Sequence, residues 1–167
     1  PLKGGPAPMQ AKYSELMRNH SPNATLLKFG YPQTLVHEGR YWAVLVRPAQ
    51  PTLGSLILCS LGDQTSYGDL PPAAFAEQGE MVVRIERMLR HFIQYERINY
   101  LMLMMVDPHV HFHVLPRYKG ERHFEATVYQ DRGWPGQPDL SATQPATDAL
   151  IEALRHSWRS AANTESE

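Results

Sequence analysis

The chain has 167 residues, a formal net charge of −1 and a single cysteine, Cys59. That length suffices for one domain with a real core, while the near-neutral balance argues against a general nucleic-acid binder. One cysteine excludes an internal disulfide framework and any multi-cysteine zinc site. The lack of a leader-like segment, and of any apolar run near eighteen residues, predicts a soluble cytoplasmic protein with no membrane partner.

Residues 1–8, rich in Pro and Gly, read as a flexible lead-in, and Met9, Tyr13, Leu16 and Met17 set a helical period up to Asn19. His20, near the end of that helix, suits its C-terminal dipole. Short strand-like runs follow at Ala24 to Phe29, Thr34 to His37, Tyr41 to Arg47 and Ser55 to Ser60. Glu38-Gly39-Arg40 joins the second and third as a hairpin, with His37 exposed beside the turn. Cys59 lies in the apolar run Leu56-Ile57-Leu58-Cys59 and reads as a packed thiol. Asp69-Leu70-Pro71-Pro72 starts a long helix reaching about Tyr95, with Phe75, Val82, Ile85, Leu89 and Phe92 as its apolar stripe. His91, beside that stripe, is given no role.

Arg97 to Val106 is apolar at both parities, which predicts a central strand covered on both sides. Core packing is preferred over a subunit contact for its methionines. Only Asp107-Pro108 separates it from the next strand, so the two read as a hairpin. Farther on, Phe124 to Gln130 is a strand or an extended arm, and Asp131 to Pro138 is a loop around Trp134. A last helix over about Gln144 to Arg159 presents Leu150, Ile151, Leu154 and Trp158 on one side. The organisation is a lead-in over 1–23, a central domain over 24–135 and a C-terminal helix and tail over 136–167.

The chemistry concentrates in Asp107-Pro108-His109-Val110-His111-Phe112-His113-Val114-Leu115-Pro116-Arg117. His109, His111 and His113 share one parity and Val110, Phe112 and Val114 the other, the period of a half-buried strand. Three imidazoles therefore share a face, spaced roughly 6.5 Å apart along the strand, while the apolar set anchors it. Imidazoliums so close repel, so the cluster is expected to be mostly uncharged at neutral pH. Neutral imidazole is both a nucleophile and a metal ligand. A metal-dependent enzyme with His109, His111 and His113 as three nitrogen ligands and an open water position is thus one reading.

The run His-Val-His-Phe-His-Val-Leu-Pro-Arg resembles the signature of the histidine triad (HIT) superfamily, whose members hydrolyse or transfer nucleotides. The resemblance implies an α+β fold, an antiparallel sheet of about five strands with a long helix on one face and additional terminal helices, and a homodimer. It implies that His111 attacks the α-phosphorus to form a nucleotidyl-histidine that water cleaves, that His113 contacts the phosphate or leaving group, and that His109 supports the nucleophile. No metal or cofactor is required by that scheme, and the partner is a small nucleotide substrate. Tyr41 to Pro48, Gly54 to Leu58 and the helix over 73–95 resemble the preceding part of the domain. Pro116-Arg117-Tyr118 and Trp134-Pro135 resemble bacterial diadenosine tetraphosphate hydrolase-like members, giving coverage over about 24–135.

On this resemblance Arg47, Ser55, Arg117 and Trp134 are the candidate substrate-binding residues. Arg47 ends a strand at the ligand loop, Arg117 offers a phosphate fork, and Trp134 either stacks on a base or packs on its own loop. Lys119 and Arg122 read as a solvated basic loop, and His123 as structural. The sequence also departs from the family. Gly54-Ser55 stands where Gly-His is common, Arg47 where many members have Asn, and Met104, Met105 and Val106 where Gly-Gln and a hydroxyl are usual. These departures motivate a second alternative, a non-catalytic nucleotide-binding module; the preferred reading is a nucleotide hydrolase or nucleotidyl transferase acting on a phosphoanhydride, phosphoramidate or related nucleotide conjugate.

Overall fold

The computed structural model describes residues 21–163, so the segments expected over Met9 to Asn19 and at His20 lie outside the described residues. In chain order the elements are α1 (Ala24–Lys28), β1 (Leu35–Glu38), β2 (Trp42–Val46), β3 (Ala49–Gln50), β4 (Leu56–Ser60), α2 (Pro72–Ile93), β5 (Arg97–Leu101), β6 (His111–Arg117), β7 (Glu121–Phe124), β8 (Thr127–Gln130), β9 (Gln144–Pro145) and α3 (Asp148–Asn163). Five strands form one antiparallel sheet in the order β1-β2-β4-β6-β5, with the long-range two-stranded pair β3–β9 and the hairpin β7–β8 outside it. The α+β architecture expected from the sequence is the one observed.

The two faces of the sheet have different cover. Val44, Val46, Leu56, Leu58 and Val114 point to the face where α2 and α3 supply Ile85, Met88, Leu89, Leu150, Leu154 and Trp158. Ala43, Leu45, Ile57 and Cys59 point to the other face, against Leu26 and Phe29 of the α1 region. Burial pushes the Cys59 thiol up to about 12, so it is an inert packed group, as its apolar setting predicts. Arg155 of α3 donates to the Leu35 carbonyl at 2.6 Å and the Gln33 carbonyl at 2.7 Å, closing the outer edge of β1. His37 stacks on Trp158 with centroids 4.9 Å apart, so it is half-buried rather than exposed as expected.

Three expectations are corrected here. Ala24 to Phe29 is a helical turn rather than a strand, because the Asn23 side chain accepts from Leu26 N at 2.9 Å and donates to the carbonyls of Ser60 and Gly62. The chain leaves that turn through Gly30 at φ +87°, where a Cβ would lie 2.7 Å from Thr34 Cγ2. The predicted central strand over 97–106 is an edge strand that stops at Leu101, since Met104 adopts a left-handed φ of 45°. Its connection to β6 is therefore a loop over 102–110, not the two residues Asp107-Pro108. The stripe of α2 is also shifted: Ala74, Met81, Ile85, Met88, Leu89 and Ile93 are buried, whereas Phe75 stays exposed and packs edge-on to Tyr67.

Glu77 on α2 went unnoticed in the sequence, yet its carboxylate accepts the backbone N–H groups of Arg40, Tyr41 and Trp42 at 2.7, 2.7 and 2.9 Å. It closes the β1–β2 turn onto the helix, beside the Trp42 Nε1 bond to the Ala74 carbonyl at 2.7 Å. Charge-assisted bonds of this kind are worth roughly 1.5–3 kcal/mol. Glu77→Ala is expected to lower urea-unfolding stability by about 2–3 kcal/mol. A loss below roughly 0.5 kcal/mol would show that water replaces the carboxylate without cost.

Candidate active site

The strand register builds the site. β6 pairs with β4 so that His111 lies opposite Cys59 and His113 opposite Ile57, on the face covered by α1. Phe112 and Val114 take the opposite face, where Phe112 meets the rings of Trp42 and Tyr67. Alternation therefore holds, although the regular strand begins at His111 and His109 sits in the bend before it. Val110 continues the pairing, accepting from Ser60 N at 2.9 Å.

His111 and His113 are 1% and 7% exposed, and their rings meet nearly edge-on at 5.2 Å between centroids. Phe29 covers both, at 5.7 Å from His111 and 5.6 Å from His113. His109 is tied to α1 instead: Thr25 Oγ1 lies 3.1 Å from its Nδ1 and accepts from its backbone N–H at 3.3 Å. Lys28 and Asp107 pair at 2.8 Å and hold the end of α1 to the same loop.

Partner chemistry fixes two of the tautomers. His111 Nδ1 is 2.7 Å from the His109 carbonyl, which only accepts, so Nδ1 carries the proton and the neutral ring keeps a bare Nε2. His113 Nδ1 lies 3.3 Å from Arg47 Nε, which only donates, so Nδ1 accepts and Nε2 keeps its hydrogen. One ring thus offers a lone pair and its neighbour offers an N–H. As further charge develops on a His111 ring bonded through Nε2, the His109 carbonyl stabilises it through Nδ1–H.

Burial, then the Arg47 guanidinium, then His111, lower the His113 pKa to about 4. Arg47, itself lowered by burial, also bonds the Ala49 carbonyl. An imidazole with an ordinary value near 6.5 in the unfolded chain and about 4 in the fold favours unfolding when protonated. Its contribution is complete above pH 6.5 and is lost as pH falls through 4, by about 3 kcal/mol in all. The difference in stability between pH 7.5 and pH 4 is expected to shrink in His113→Gln. An identical pH dependence in both proteins would contradict this assignment.

Among the predicted substrate residues only Arg47 joins the histidines. Ser55 does not: it is fully buried, and its hydroxyl donates to the Thr52 carbonyl at 2.7 Å inside a turn that Gln50 also closes. Arg117 also stands apart from the histidines: Asp131 takes Nε and Nη2 at 2.6 and 3.1 Å, Asn99 takes Nη1 at 2.8 Å and the Gly136 carbonyl takes Nη2 at 3.0 Å. Arg117 lies roughly 20 Å along the strand from His111. The half-buried Trp134 belongs to the loop fastened at that end, with its N–H on the Asp131 carbonyl. Nor is Arg122 merely solvated; it donates to the Ile93 and Gln94 carbonyls and caps α2. Thr25, Phe29 and Asn23, which hold and cover the triad, carry no signal in the sequence that links them to it.

For the metal reading, no group of three His, Cys, Asp or Glu side chains among the described residues is arranged to hold an ion. The Nδ1 atoms of the three imidazoles are turned to different partners, Thr25, the His109 carbonyl and Arg47.

No family model and no curated protein sequence matches this chain. Solved structures do. A histidine triad (HIT) protein from Sinorhizobium meliloti 1021 superposes with a TM-score of 0.68 at 17% identity, covering 86% of this chain and 98% of its own. The chain has the histidine triad fold. A hypothetical histidine triad nucleotide-binding protein from Sulfolobus tokodaii strain7 shares that fold at TM-score 0.60, with 15% identity over 84% of this chain and 90% of its own. A Zn-bound histidine triad family protein from Mycobacterium smegmatis does so at 0.59, with 15% identity over 93% and 98%. The histidine triad fold here places β6 next to an edge strand, with His111 and His113 facing α1. Among its described residues no helix is long and apolar enough to cross a membrane.

Proposed function

We propose that this chain is a histidine-triad nucleotide hydrolase or nucleotidyl transferase acting on a phosphoanhydride, phosphoramidate or related nucleotide conjugate. The observation that carries the reading is the complementary pair of tautomers, a bare Nε2 on His111 beside an Nε2–H on His113. His111 Nε2 attacks the α-phosphorus as the bond from phosphorus to the leaving atom breaks. The electron pair departs with that atom, which takes up a proton. Water then attacks phosphorus, loses a proton, and the imidazole is released with a nucleoside monophosphate. His113 Nε2–H donates to a phosphoryl oxygen, and Arg47 adds positive charge behind it. His109 positions the nucleophile through its carbonyl. The reading includes a cytoplasmic homodimer and requires neither cofactor nor metal for these steps.

The test uses the full chain with adenosine 5′-phosphoramidate and with diadenosine tetraphosphate, following nucleoside monophosphate by chromatography. A parallel thermal-shift titration with adenosine monophosphate reads binding. Product from either conjugate, with stabilisation by the monophosphate, is the expected result. Stabilisation without product would favour a non-catalytic nucleotide-binding module, and the absence of both responses would overturn the reading.

A further inference from the structure

The carbonyl that fixes the His111 tautomer is not held by the sheet. Regular pairing of β6 begins at His111, and residue 109 sits in the bend before it, after Pro108, which has no N–H to give. Backbone groups in a bend lack ladder partners, so their direction is set by whatever else they bond. Two bonds flank the His109 carbonyl. Val110 N–H, in the same peptide unit, donates to the Gln64 carbonyl at 3.2 Å, and the His109 N–H donates to Thr25 Oγ1 at 3.3 Å. Of these two partners Thr25 also holds the ring, with Oγ1 at 3.1 Å from His109 Nδ1.

A hydroxyl that has accepted the backbone hydrogen still has its own hydrogen to give, and the ring nitrogen takes it. Main chain and side chain of residue 109 thus close on one oxygen. The support behind that oxygen is stiff. Thr25 and Leu26 are each 1% exposed, the Asn23 side chain bonds the carbonyls of Ser60 and Gly62 at 2.8 and 2.9 Å, and the Phe29 carbonyl accepts from Thr34 Oγ1 at 2.7 Å. Burying a hydroxyl is costly unless it is bonded, and among the described residues the partners of this one lie on residue 109.

We infer that Thr25 is a positioning residue: by clamping residue 109 at its N–H and its ring, it holds the His109 carbonyl on His111 Nδ1–H and so keeps the His111 lone pair on Nε2. The effect on rate rests on the reaction proposed above, whereas the hold on the ring does not. An imidazole whose partner no longer fixes it exchanges between tautomers, and the form with its hydrogen on Nε2 cannot attack phosphorus. Loss of the group that maintains a reactive imidazole's tautomer costs orders of magnitude in rate elsewhere. Lys28 ties the same helix to Asp107 but bonds no part of residue 109, so its removal loosens the neighbourhood without releasing the clamp.

The experiment reads the His111 tautomer by nitrogen NMR of isotope-labelled histidine in the full chain, assigned with His111→Ala, beside kcat and KM for adenosine 5′-phosphoramidate. Thr25→Val removes the clamp, Thr25→Ser keeps the hydroxyl, and Lys28→Met breaks only the neighbouring ion pair. In the wild type His111 is expected to show a neutral ring protonated at Nδ1. In Thr25→Val its signals should move toward the Nε2–H pattern, with kcat lowered roughly tenfold or more and KM within about twofold. Thr25→Ser should restore both, and Lys28→Met should retain both. If Thr25→Val does not fold, Thr25→Cys, a weaker hydrogen-bonding side chain of similar size, takes its place with the same expected direction. An unchanged His111 pattern in the clamp variant, an equal loss in Thr25→Ser, or an equal change in Lys28→Met would overturn the positioning role. Absence of turnover in every protein, with the His111 pattern still moved by Thr25→Val, would defeat the reaction and leave the clamp standing.

Discussion

Replacement of His111 by Ala is expected to reduce kcat/KM for a nucleotide conjugate by roughly 10⁴-fold or more, because the variant loses the imidazole proposed to bond phosphorus. The neighbouring groups act on the same step with smaller effects. His113→Gln keeps an N–H donor near the phosphoryl oxygens and is expected to cost about 10²-fold, the scale of a single stabilising donor. Arg47→Met removes the donor to His113 Nδ1 and the second-largest cause of that ring's low pKa. Its pH profile should therefore shift upward as His113 regains basicity, and His111→Ala, which removes a smaller cause of the same lowering, should raise the His113 pKa by less. Comparable activity in His111→Ala and the wild type would eliminate nucleophilic catalysis by this ring.

The largest loss of stability is expected from Arg117→Met. Arg117 and Asp131 form a buried two-pronged pair whose side chains are 5% and 1% exposed. Removing one partner strands Asp131 as an uncompensated charge and frees Asn99 and the Gly136 carbonyl, a change worth about 3–5 kcal/mol. For a chain of this size that corresponds to a drop in Tm of roughly 10 °C or more. Adding Asp131→Leu should recover part of the loss, because a neutral filler no longer carries an unpaired charge, although Tyr118 N and Gly133 N lose their acceptor. Two additive losses in the double variant would contradict the assignment of a coupled pair. Activity per folded molecule should survive, since Arg117 fastens the 131–136 loop and lies far from His111.

The shared face of His111 and His113 was legible because a period of two places alternating residues on one face whatever the neighbours are, and the register of β6 on β4 kept that parity, whereas His109 lies in the bend before the strand. Arg47 was legible only through resemblance; its bond to His113 joins residues 66 positions apart. The run Ala24 to Phe29 could not be read as a helix from its own apolar pattern. Its conformation is decided by Asn23, which caps the turn and bonds carbonyls 37 and 39 residues away. Likewise the apolar stretch after Arg97 satisfies the pattern of a central strand, and one residue with positive φ, Met104, ends it instead. An arginine just after a histidine strand looks like a phosphate ligand until its partner Asp131, fourteen positions later, is seen to claim it. Long-range polar pairing thus accounts for most of what local pattern missed.

The chemistry at phosphorus is tested most directly by trapping the covalent intermediate. The full chain is mixed with a radiolabelled adenosine conjugate that it cleaves, quenched in alkaline detergent to protect an acid-labile phosphorus–nitrogen bond, and digested for mass spectrometry. A nucleotidyl group on the peptide containing His111, lost on brief acid treatment and absent from His111→Ala, is the predicted result. Label on another residue, or full turnover with no adduct at any time in the pre-steady state, would contradict attack by His111 Nε2.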